Sequence, residues 1–140
     1  MKPNFKRTFL NLILIASIVF TSCSSTKENL DLELATASKI EVLENGEWLL
    51  KDFEDRVMYA FVNGERLTYY GVDNVFQDQA IPGTEAYTIS GDGITLDFNF
   101  GNIVTYQVKF SCDNTIVEFY KDGALNTTLY KRNSNYKNCL

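Results

Sequence analysis

Ile94-Thr95-Leu96-Asp97-Phe98-Asn99-Phe100 is the stretch on which the fold of this chain turns. Apolar and polar residues alternate strictly along it, so an extended strand puts Ile94, Leu96, Phe98 and Phe100 on one face. Such a strand buries one side only, as in an antiparallel sheet packed on a single core. Gly91-Asp92-Gly93 separates it from Ala86-Tyr87-Thr88-Ile89 upstream. Past a Gly101-Asn102 turn, Val104, Tyr106, Val108 and Phe110 repeat the alternation against Thr105, Gln107 and Lys109.

The same grammar extends in both directions. Asp113-Asn114 turns the chain into Thr115 to Tyr120, and Lys121-Asp122-Gly123 turns it again into Ala124 to Arg132. Upstream, Asn63-Gly64 joins Val57 to Val62 with Glu65 to Tyr70; both turn residues accept positive φ, which the tightest hairpins demand. Trp48 to Phe53 supplies one more strand. The turns are short except for one loop from Val72 to about Thr84, which holds Pro82 and Gly83. A meander of about eight strands leaves two exposed edges unless it closes on itself. The sequence therefore predicts an all-β fold, a compact up-and-down antiparallel β-barrel of about eight strands. A barrel of that size is filled by its own side chains or holds one small ligand.

The chain opens differently. Lys2, Lys6 and Arg7 precede an apolar run from Leu10 to Phe20, too short for a comfortable membrane span, and Thr21-Ser22 leads into Cys23. This pattern resembles a bacterial lipoprotein signal, in which a small residue precedes the modified cysteine; Ser22 fits, while Phe20 stands where Leu is more usual. The resemblance implies cleavage before Cys23, a diacylglycerol on its sulfur and a further acyl group such as palmitate on the new amino terminus. Two or three chains hold a protein stably at a membrane, each buried methylene adding about 0.8 kcal/mol. Ser24 in place of Asp implies, by the same resemblance, the outer membrane of a cell envelope.

The expected organisation is a signal peptide over 1–22, a lipidated Cys23 with a tether over 23–43, and a barrel domain over 44–140. Leu34, Ala37, Ile40 and Leu43 recur at helical spacing and predict a short helix within the tether. Loss of the signal leaves 10 basic side chains against 18 acidic, a net charge of −8 where the whole chain carries −5. An acidic body repels phosphate backbones and anionic headgroups, so the membrane partner is reached through lipid and nucleic acid is no partner.

Gly46-Glu47-Trp48 opens the first strand and Leu129-Tyr130-Lys131-Arg132 closes the last. The pair resembles the Gly-x-Trp motif and terminal basic residue of lipocalins, over about residues 44 to 132. That likeness implies Gly46, Trp48 and Arg132 as barrel-closing residues, the Trp packing across the closed end beneath the cation. The body is shorter than a typical lipocalin and offers no counterpart of its flanking helix. Parity complicates the pairing: if Leu129 points inward, Arg132 reaches Trp48 only by wrapping past the strand end.

With Cys23 taken by lipid, Cys112 and Cys139 remain in a compartment that permits disulfides. The hairpin after Cys112 runs out and back, and residues 133–138 suffice to bring Cys139 alongside, which predicts a bond worth roughly 3 kcal/mol. Free thiols or metal ligands are the alternatives; the chain has no His, which argues against zinc. No tuned histidine base, nucleophile elbow, phosphate-cradling loop or calcium loop is present, and Asp92, Asp113 and Asp122 are explained by turns. The expectation is a binding protein without catalysis, cofactor or metal. Tyr69, Tyr70 and Phe76, beside the long loop, are the candidate lining of a cup for a small hydrophobic ligand or an envelope component. The competing expectation is a structural or protein-interaction lipoprotein whose barrel is solid and whose long loop is the contact surface.

Overall fold

The computed structural model describes residues 38–140. The expected signal segment 1–22, Cys23 and residues 24–37 of the expected tether lie outside the described residues. Nine strands follow a helical stretch at 38–44: β1 Glu47–Leu50, β2 Val57–Val62, β3 Glu65–Val72, β4 Val75–Phe76, β5 Glu85–Ser90, β6 Gly93–Asp97, β7 Ile103–Ser111, β8 Ile116–Lys121 and β9 Ala124–Lys131. Every ladder is antiparallel. β1 pairs with β2 on one side and β9 on the other, and β2 also pairs with β3. The order β1-β2-β3-β5-β6-β7-β8-β9 therefore closes on itself, an eight-stranded up-and-down barrel with β4 as an extra strand on β3.

Local chemistry sets the turns. Asn63 and Gly64 both take positive φ, 52° and 82°, and fix the register Val62↔Glu65 that carries the whole β2–β3 ladder. Asp122 and Gly123 do the same between β8 and β9. One expected strand ends early. The Asp97 carboxylate accepts the Asn99 backbone N–H at 2.8 Å, and Asn99, Phe100 and Gly101 then run through three left-handed conformations in succession. Alternation stops at Phe98, and Phe100, expected on the buried face, is fully exposed at the rim.

The inward faces form one core of Leu43, Trp48, Phe61, Tyr87, Ile94, Val117 and their neighbours, with Phe61 and Tyr87 edge to face at 5.4 Å. A helical plug closes one end. Leu43 is fully buried, its carbonyl accepts the Trp48 indole N–H at 2.8 Å, Tyr87 donates to the Glu44 carboxylate, and Lys39 pairs with Asp92 in the β5–β6 turn. Burial, and then the Glu44 hydrogen bond, holds the Tyr87 phenol well above its ordinary pKa, so it remains a donor. The expected boundary at 44 thus falls inside the folded body, and the expected helix is realised at its C-terminal part as the floor of the barrel.

A second, smaller core lies outside the barrel wall. Leu49, Met58, Ile116, Tyr130 and Tyr136 are buried there, with Tyr69, Phe76 and Cys112 packed against them. A short 3-10 turn at Tyr136–Cys139 covers this face, and Tyr136 stacks flat on Tyr130 with ring centroids 4.4 Å apart. The Cys112–Cys139 disulfide, with Cα atoms 6.1 Å apart, ties that turn to the start of the β8–β9 hairpin.

β3 meets β5 over only two residue pairs, Glu65↔Ala86 and Arg66↔Glu85. Beyond them the Val72–Thr84 segment takes the place of a strand: β4 pairs with Gly71 and Val72, Gln77 N–H reaches the Tyr70 carbonyl at 3.0 Å, and Ile81 N–H the Thr68 carbonyl at 2.8 Å. Gly71 permits the approach, since a Cβ there would stand 2.7 Å from the Val75 carbonyl oxygen. The long loop is therefore largely a strap completing the wall, because the backbone groups of β3 left by β5 need partners.

Candidate functional site

The barrel is filled at its plugged end and hollow at the other. Toward the turns that carry Asp52, Asn99 and Asp122, the interior opens into a cup of about 290 Å³. Its wall is built by inward positions of seven strands and the β6–β7 turn: Leu50, Tyr59, Arg66, Leu96, Phe98, Tyr106, Phe119, Thr127 and Leu129, with Asn126 at the mouth. The rings at its base are mutually braced, Tyr106 lying edge to face on Phe119 at 6.0 Å. The hollow has a simple cause. At the plugged end Trp48, Phe61, Tyr87 and Leu43 converge on one level, whereas at the open end β9 contributes only Thr127 and Asn126 against the aromatics.

A second depression of about 330 Å³ adjoins the first, sharing Leu50, Tyr59 and Arg66 and adding Phe53, Tyr70, Ile81 and Glu85. Around the mouth, Phe53, Tyr70, Val72, Val75, Phe100, Ile103 and Leu125 are all exposed apolar side chains on open-end turns or the adjoining strand ends.

Arg66 is the charged residue of the cup. Its guanidinium sits 4.5 Å from the centroid of the Tyr59 ring and 5.2 Å from that of Phe98, and its Nε donates to Glu85 Oε2 at 3.0 Å. The Arg66 side chain is only 14% exposed. Burial raises the Tyr59 phenol above its ordinary pKa, opposed by the nearby Arg66 charge, so Tyr59 presents a neutral hydroxyl.

The expected cup residues Tyr69, Tyr70 and Phe76 do not line one cup. Tyr69 faces outward opposite Met58 and joins Phe76 in the outer core, while Tyr70, opposite Val57, faces the second depression. Neighbours along a strand point to opposite faces, so Tyr69 and Tyr70 cannot line one cup. Trp48 is fully buried beside the plug, its indole N–H on the Leu43 carbonyl, and no cation from Arg132 covers it. Leu129 does point inward, which turns Arg132 outward to Glu47 at 2.8 Å and over the Phe76 ring at 5.0 Å. Lys131, paired with Trp48 in register, lays its stem across Gly46 instead. Cys112 and Cys139 stand at the disulfide described above, remote in role from the cup.

Arg66 and Glu85 escape a reading by composition because a charged residue at the start of a strand reads as solvated, and Thr127 because a hydroxyl within a strand reads as outward-facing. A signal was nevertheless there. The two-residue Asn63-Gly64 turn sets Phe61 opposite Arg66, and cross-strand partners share a face, so a core Phe61 forces Arg66 inward. Among the described residues, no cluster of three or more metal-ligating side chains occurs, and no helix is long and apolar enough to cross a membrane. Compared with family models, curated proteins and solved structures, the chain finds no match in any of the three.

Proposed function

We propose that this chain is an envelope lipoprotein, anchored through acyl groups on Cys23, whose barrel captures a small hydrophobic molecule in its open cup without chemical turnover. The observation that carries this reading is the hollow half of the barrel. An eight-stranded barrel has enough bulky residues to fill itself, and this one keeps about 290 Å³ open beneath aromatic walls. The lipid anchor is supported by the basic, apolar and Ser22-Cys23 succession. The exposed apolar rim supports an approach to an envelope component that delivers or receives the ligand.

Two experiments test the two halves. Radiolabelled palmitate fed to cells should enter the wild-type chain and not Cys23→Ser, since acyl transfer needs a thiolate nucleophile; equal labelling of both overturns the anchor. Protein purified from envelopes in mild detergent should carry a small molecule identifiable by mass spectrometry of the solvent extract. Thr127→Trp, which fills the mouth of the cup, should lower its recovery at least tenfold while a near-ultraviolet spectrum shows the barrel intact. Undiminished recovery from the variant, or no bound molecule in the wild type, overturns the cup.

A further inference from the structure

Most of the cup wall is what an apolar ligand needs, and one residue is not. Arg66 is the single charged side chain among the residues that line the cup, in a protein whose overall charge is negative. A guanidinium offers five N–H donors in a fixed fork. Among the described residues, its one hydrogen bond is from Nε to Glu85, which leaves the paired Nη groups without a protein acceptor. Glu85 lines the second depression and is not part of the cup, whereas Arg66 lines both. The guanidinium is therefore shared, with its carboxylate partner on one side and the aromatic cup on the other. Tyr59 and Phe98, at 4.5 and 5.2 Å, hold its plane in place.

A merely structural role accounts for part of this. Arg66 and Glu85 are register partners on the two-pair β3–β5 seam, where an ion pair helps hold the weakest joint of the barrel. That role needs the Nε contact. It does not need a cation exposed to a cup otherwise walled by neutral side chains, where removal from water is costly for a charge that is not fully partnered.

We infer that the cup selects amphiphiles that carry a carboxylate, the anionic head engaging the Arg66 Nη groups and the apolar body lying against Leu96, Phe119 and Leu129. A planar carboxylate matches the fork of the guanidinium, and a charge-assisted pair in a water-poor cup discriminates strongly against a neutral head. The inference rests on the cup being a ligand site, and it adds the ligand's charge.

Calorimetric titration of the full-length protein in lipid nanodiscs, with empty discs as the blank, tests it using 2-naphthoate and its neutral counterpart 2-naphthamide. The wild type should bind the carboxylate at least tenfold more tightly, the ratio expected from one hydrogen-bonded charge pair. Arg66→Met should bring the two probes to within about twofold of each other. Glu85→Gln removes the competing carboxylate and leaves the cation in place, so the preference should grow; a purely structural ion pair would leave it unmoved. Equal affinity of the wild type for both probes overturns the charge selection while leaving the ligand cup standing. Failure of both probes to bind overturns the cup itself. If Arg66→Met does not fold, the wild-type ratio and the Glu85→Gln shift decide, and an unchanged ratio in that variant overturns the inference.

Discussion

Replacing Trp48 with alanine is expected to cost about 3 to 5 kcal/mol of unfolding free energy, the range for truncating a large aromatic in a core. Trp48 is fully buried, and its neighbours are held by a closed circuit of strands that cannot collapse far into the space it leaves. The loss has a second part. The indole N–H satisfies the Leu43 carbonyl, so the variant strands a buried acceptor and frees the plug that Lys39 and Glu44 also tether to β5 and its turn. Urea unfolding followed by far-ultraviolet circular dichroism measures it, and Trp48→Phe, which keeps most of the ring but not the donor, should fall between wild type and alanine. A loss below about 1 kcal/mol for Trp48→Ala would mean that the residue packs at the surface and does not floor the barrel.

Removing the disulfide by the double substitution Cys112→Ser and Cys139→Ser is expected to cost about 3 to 4 kcal/mol. The bond closes a loop with a sequence separation of 27, and restricting a loop of that length in the unfolded chain is worth about 3.5 kcal/mol on the chain-entropy account. The native state also loses an ordering device, because the bond fixes the 3-10 turn that presses Tyr136 onto Tyr130 over Leu49 and Met58. Tryptic peptides from non-reduced protein should contain the linked pair, and the double variant should unfold at lower denaturant. Both cysteines freely alkylated in protein isolated under oxidising conditions, or an unchanged midpoint, would refute the expectation.

Much of the barrel is visible in local chemistry. Asn63-Gly64, Asp122-Gly123 and the residues around Asp92 place turns because positive φ is tolerated there, and the period-2 runs from Ile94 and Val104 give strand and face together. Closure was legible too, through the edge problem that a long meander poses. Alternation with one buried face describes the Ile94 strand but not every strand of the barrel. Trp48-Leu49, Ile116-Val117 and Leu129-Tyr130 are unbroken apolar pairs, and each marks a strand buried on both faces beneath the C-terminal turn and the strap.

Sequence alone settled what local pattern carries: most of the strands, the tight turns, and the reach of Cys139 to Cys112 across one hairpin. Tertiary structure decided what depends on summing distant residues at one level of the barrel. Whether Tyr69 faces a cup or an outer core, whether Arg132 or Lys131 lies near Trp48, and whether the interior is solid or hollow all follow from how eight strands are staggered when the circuit closes. The cup exists because β9 brings Thr127 and Asn126 to the level where β2, β7, β8 and the β6–β7 turn bring rings. No local pattern records that coincidence, since volume left over inside a closed sheet is a property of all its strands together.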